Sequence, residues 1–157
     1  MVRLVDRAVG ATVSLGRWLA LPVVLLLFLQ WPLRDAVRAW SREANDLGQC
    51  FFALFVAIAV TAATRARAHL AAEAFAARYP AAARGAIERL AGALVLIPWA
   101  LFVLAAGWSM VSRSAAALES FPDTGNPGYF VVKGAMALLA VLVVAQAAVT
   151  ILSRPGS

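Results

Sequence analysis

Four stretches of this chain, 18–33, 47–64, 90–112 and 134–153, contain no charged side chain, and together they take up about half of its 157 residues. Each is long enough, or nearly so, to cross a hydrocarbon layer of about 30 Å as a helix rising about 1.5 Å per residue. Lipid offers no water to satisfy backbone N–H and C=O groups, so each stretch is expected to be helical. The expected fold class is therefore all-α: an integral membrane protein with four transmembrane helices, at approximately 10–31, 47–64, 90–112 and 130–152, in a single membrane domain over 1–157. Connecting segments and short termini are all that remain. Any chemistry must come from the spans or from a partner.

Composition points the same way. Hydrophobic residues make up 63% of the chain and charged ones 14%, against about 45–50% and 25% in soluble domains. A water-soluble domain of this size could not hide so much apolar surface. The net charge of +6 comes from basic residues dispersed between the apolar windows, which suits membrane lipid headgroups and argues against a nucleic-acid partner. Cys50 is the only cysteine, which excludes an intrachain disulfide or a cysteine metal cluster and leaves it as a small buried hydrophobe.

Arg3, Arg7 and Arg17 precede the apolar run Leu19–Leu29 in the manner of an export signal. Gln30, Trp31, Pro32 and a charged segment follow it, however, with no small-residue cleavage pattern. The run is expected to be a retained first helix starting near Ala8. Arg17 would then extend toward the headgroups, and Trp18 and Trp31 would mark the two interfacial belts.

Counting Lys and Arg on alternate sides gives the orientation. Arg3, Arg7, Arg17, Arg65, Arg67, Arg78, Arg84, Arg89 and Arg154 make nine on one side. Arg34, Arg38, Arg42, Arg113 and Lys133 make five on the other. Both termini are therefore expected in the cytoplasm.

Two connections carry helical periodicity. Over 33–46, Leu33, Val37, Trp40 and Ala44 recur at steps of four and three, opposite Arg34, Asp35, Arg38, Arg42 and Glu43. This suggests a short amphipathic interfacial helix, with a solvated loop as the alternative. Over 65–79, Arg65, His69 and Glu73 stack at four-residue spacing as a cytoplasmic interfacial stripe, and Pro80 breaks the pattern. The alternative there is a cytoplasmic extension of the second helix with a solvated charged face.

His69 is the sole histidine, so a haem held between two histidines and a clustered metal site are excluded, and no cofactor is expected. No carboxylate lies deep in any window. Proton- and cation-driven carriers often place one there, so the chain is poorly equipped to transport alone. Gln49 and Gln146 can hydrogen-bond either to neighbouring helices or to a partner. Pro98 predicts a bend in the third span, with the Trp99 ring at mid-depth. Gln49, Trp99 and Gln146 are the candidate partner-interface residues. Pro122 to Gly128 form a compact turn.

Ser41-Arg42-Glu43-Ala44-Asn45-Asp46-Leu47-Gly48 before the second helix, and Arg65-Ala66-Arg67-Ala68-His69-Leu70-Ala71-Ala72-Glu73 after it, resemble the small membrane subunit of TRAP (tripartite ATP-independent periplasmic) transporters. Asp46 and Glu73 keep the charge of the acids common in that family, and the resemblance spans roughly Val13 to Leu152. It implies no enzyme. It implies instead a non-catalytic scaffold in the bacterial inner membrane for a large multispanning subunit, which imports organic acids with sodium by an elevator movement, delivered by a periplasmic substrate-binding protein. The rival class is an autonomous small oligomeric carrier or channel, which would need polar side chains converging on a pathway.

Overall fold

A computed structural model describes residues 2–36, 41–66 and 79–152. Within them the elements are α1 (Val2–Gly16), a 3-10 turn (Arg17–Leu19), α2 (Ala20–Ala36), α3 (Arg42–Arg65), α4 (Ala81–Ala91), a π-type turn (Gly92–Leu96), α5 (Ile97–Ala116) and α6 (Tyr129–Leu152). Four helical runs are long and apolar enough to span a membrane: Val2–Pro32, Arg42–Arg65, Gly85–Ala116 and Tyr129–Leu152. The protein is an all-α, multi-pass membrane protein.

The first span starts earlier than hydropathy suggests, at Val2 rather than near Ala8. The added turns are held by contacts that hydropathy does not measure: Val9 is buried, and Asp6 is ion-paired with Arg65. An interfacial helix over 33–46 is not a separate element among the described residues. Residues up to Ala36 complete α2, and 37–40 lie outside the description. Ser41 caps α3, its Oγ accepting the Ala44 N–H at 3.1 Å. Arg42 to Asp46 thus belong to the second span. Of the 65–79 segment, 67–78 fall outside the described residues, including His69 and Glu73.

The third span contains Pro98, which lacks an N–H and whose ring crowds the carbonyl one turn earlier. The chain accommodates it by widening the preceding turn: the Ile97 N–H donates to the Gly92 carbonyl, five residues back. The helix continues through the proline to Ala116.

α6 packs on α3, on α1 and on the third span, and α1 also packs on α3. The buried residues of α6 fall on two stripes. Ala135, Leu142 and Val149, at seven-residue intervals with Gln146 beside them, make one; Ala140 and Ala147, also seven apart, make the other. On the first stripe, Gln146 bonds to Arg65 of α3. The second meets the third span, since a Cβ on Gly92 would rest 3.8 Å from that of Ala147. α5 packs on α6 and makes no extensive contact with another span, while α2 packs on α3. Ala57, Ala100, Ala135, Ala140 and Ala147 make alanine the most frequent residue type among the buried apolar positions, as expected where close backbone approach, not a hydrophobic driving force, joins helices in lipid.

α1 and α3 approach closely at Gly16. A Cβ added to Gly16 would overlap the buried Ile58 side chain, 3.0 Å from its Cβ. Gly16→Ala should therefore lower stability by about 1–3 kcal/mol, and Ile58→Ala in the same chain should recover part of that loss. Thermal unfolding in detergent micelles compares the four variants of the cycle; an additive double mutant would contradict the contact.

Candidate functional site

Two polar clusters lie at opposite ends of α3, and each is assembled from distant parts of the chain. The first surrounds Asp46, one turn inside α3 and only 7% exposed. Its Oδ2 accepts the Thr124 hydroxyl at 2.5 Å and the Asn126 amide at 3.4 Å. Both donors come from the turn between α5 and α6.

That turn is built to reach Asp46. α5 ends with Leu118 in the left-handed conformation, at φ 46°. The Leu118 N–H donates to Ala115 and the Glu119 N–H to Ser114, the pair of bonds that closes a helix C-terminus. An isolated antiparallel bridge then joins Ser120 to Pro127. Phe121 is buried against Tyr129, edge to face with ring centroids 5.4 Å apart. Gly128, at φ 146°, must be glycine, because a Cβ there would be strained and would lie 3.1 Å from the Phe121 ring. Its carbonyl accepts the Cys50 thiol at 3.5 Å. Lys133, one turn into α6, donates to both Glu119 carboxylate oxygens at 2.7 and 2.6 Å and stands 5.0 Å from the centre of the Tyr129 ring.

The second cluster surrounds Arg65 at the far end of α3. One guanidinium nitrogen donates to the side-chain Oε1 of Gln146 at 2.9 Å, and another pairs with Asp6 at 2.9 Å. The Gln146 side-chain amide in turn donates to the Thr150 hydroxyl at 3.4 Å, and that hydroxyl donates to the Gln146 backbone carbonyl at 3.0 Å. One side chain thus links α3, α1 and α6. The Thr61 hydroxyl, buried in α3, finds no partner among the described residues.

The residues singled out from sequence are placed in three ways. Gln146 is 9% exposed and directs its amide into the chain, toward Arg65 and Thr150. Arg65 turns inward to the same group instead of lying along a surface stripe, while His69 and Glu73 lie outside the described residues. Gln49 and Trp99 are on the exterior, Trp99 half exposed. Asp6, Asp46, Thr124 and Asn126 were not marked as site residues. The available signal was an acid at the mouth of an apolar window together with a turn rich in hydroxyl and amide donors. Among the described residues no three His, Cys, Asp or Glu side chains converge as a metal site.

Two measurements test the clusters. Arg65→Leu leaves the buried Gln146 oxygen without its donor and should cost about 1–3 kcal/mol. Asp6→Asn, at a half-exposed pair, should cost less than about 1 kcal/mol. Thiol labelling of Val9→Cys reports release of α1 and should accelerate in Arg65→Leu. At the other end, the Lys133 ammonium holds the Glu119 carboxyl below the usual glutamate range. A depressed folded-state value means that the stabilisation is complete above the unfolded value and is lost as pH falls through the folded one. Acidification below about pH 4 should therefore lower the melting temperature of the natural chain more than that of Lys133→Met; parallel acid limbs would contradict the pairing.

Comparison with known proteins follows from this architecture of four spans tied at both ends. The family model described as "Tripartite ATP-independent periplasmic transporters, DctQ component" matches residues 23–154. No curated protein and no solved structure gives a match. The matched region begins in α2 and takes in α3, the Asp46 cluster, α5 and α6, so it covers most of the chain, with α1 lying before it. The chain belongs to the DctQ family, the small membrane component of tripartite ATP-independent periplasmic transporters.

Proposed function

We propose that this chain is a static, non-catalytic scaffold in the bacterial inner membrane for a large multispanning subunit of elevator type. That subunit carries organic acids inward with sodium after a periplasmic substrate-binding protein delivers them. The carrying observation is where the buried charge goes. Asp46, the buried carboxylate among the described residues, is occupied by Thr124 and Asn126, and the guanidinium of Arg65 is occupied by Asp6 and Gln146. Both groups tie one part of this chain to another. A carrier's coupling site needs polar groups that bind and release an ion, which groups committed to internal pairs do not supply.

In this reading both termini are cytoplasmic, which the nine-to-five distribution of basic residues supports. The Arg65, His69 and Glu73 stripe begins at the cytoplasmic surface with Arg65 turned into the bundle. Membrane lipids cover the apolar exterior. Gln49 and Trp99, on that exterior, are the better candidates for contact with the large subunit. Gln146 supports that contact indirectly, by fixing α6 against α3.

Reconstitution tests the proposal. Vesicles containing this chain alone should take up no organic acid under an inward sodium gradient. Vesicles containing it with its large subunit and loaded binding protein should take it up, and omission of this chain should abolish uptake. Sodium-driven uptake by the chain alone would reject the scaffold role.

A further inference from the structure

Arg17 is a cation at the wrong depth. Its neighbour Gly16 is packed on Ile58, which fixes the register of the first span against α3. From Ile58, the Arg65 end of α3 is about 11 Å away and the Asp46 end about 18 Å, at about 1.5 Å per residue. The sum is close to the thickness of a hydrocarbon layer, so the backbone of Arg17 lies well inside it. Trp18, expected at an interfacial belt, is carried inward with it.

An extended arginine side chain leans toward the N-terminus of its helix, here toward the Arg65 end, and does not cover the whole of the shorter distance. The acid in that direction, Asp6, is already paired with Arg65. Among the described residues Arg17 makes no hydrogen bond or ion pair. Intramembrane arginines almost always face a protein interior or water and have a partner. This one has none among the described residues.

Arg17 instead lines a cleft of about 340 Å³ between α1 and α3. Gly10 and Ser14 form one wall, and Phe55, Ala59 and Ala62 the other. Small residues at four of these five positions leave room for another backbone to approach. Alongside, α3 exposes Phe52, Val56 and Val60 as a continuous ridge.

We infer that this cleft receives a membrane helix of the large subunit, and that a carboxylate on that helix pairs with the Arg17 guanidinium. The inference rests on the scaffold reading and adds to it the docking face and the chemistry of its anchor. A neighbouring helix can present a carboxylate at any depth, in the two-oxygen geometry that a guanidinium matches. A lipid phosphate lies beyond the hydrocarbon layer, outside the reach of this side chain.

Co-purification of the tagged chain with its large subunit from membranes tests this. Arg17→Gln should reduce the recovered large subunit at least about ten-fold, as expected for truncation of one partner of a buried charge pair. Arg17→Lys should retain part of it. Ala59→Trp, which fills the cleft and keeps the charge, should also reduce recovery. A photo-crosslinking residue at Ser14 in the otherwise natural complex should capture the large subunit, a readout independent of how either variant folds. Failure of the natural chain to retain the large subunit would sink the scaffold reading and this inference together. Retention by the natural chain, Arg17→Gln and Ala59→Trp alike would overturn the docking face alone. So would a Ser14 crosslink only to phospholipid, or loss of nothing but bound anionic lipid from Arg17→Gln in native mass spectrometry; either would assign the cleft to lipid.

Discussion

The guanidinium of Arg65 joins three helices at once. Apart from it, the buried residues of α1 are Val9 and Gly16, which pack without any directed bond. Apolar side chains cannot do the same work here, because lipid tails surround them as well as other helices do. A directed hydrogen bond and an ion pair, placed where the bilayer gives way to headgroups, distinguish the native arrangement from any other packing of apolar rods. The Asp46 cluster does the same at the opposite face, where the α5–α6 turn is drawn over the start of α3. Helix ends are thus pinned by polar groups and helix middles by small residues.

The spans were legible in the sequence because they depend on a quantity carried by each residue alone, the free energy of transfer into hydrocarbon. Over the described residues, each of the four uncharged windows falls within one long helical run, although the runs extend beyond them, and Pro98, from which a bend is expected, is accommodated by a widened turn just before it. Ends were less legible. Ser41 looked like one residue of a continuous amphipathic pattern, yet its hydroxyl caps α3 and divides that pattern in two. Capping depends on one local hydrogen bond, which a periodicity averages away.

The polar clusters were the least legible, and sequence distance explains why. Arg65 and Gln146 are 81 positions apart, and Thr124 and Asp46 are 78. Read alone, Arg65 belongs to a four-residue stripe and Gln146 is an amide equally suited to an internal or an external partner. Only the packing of α6 beside α3 brings them together. The family resemblance drew attention to both acid-containing stretches, but it could not say what Asp46 touches.

The order of the helices along the chain has a consequence for biosynthesis. α6 is the last of the four spans to leave the ribosome, yet it is the one against which the third span packs and to which Arg65 is bonded through Gln146. Until it enters the bilayer, the third span has no extensive neighbour and Arg65 lacks one of its two partners. The first two spans can already pair through the Gly16–Ile58 contact and the Asp6–Arg65 ion pair, but the third span has nothing to pack on until α6 arrives, so the bundle closes only around α6.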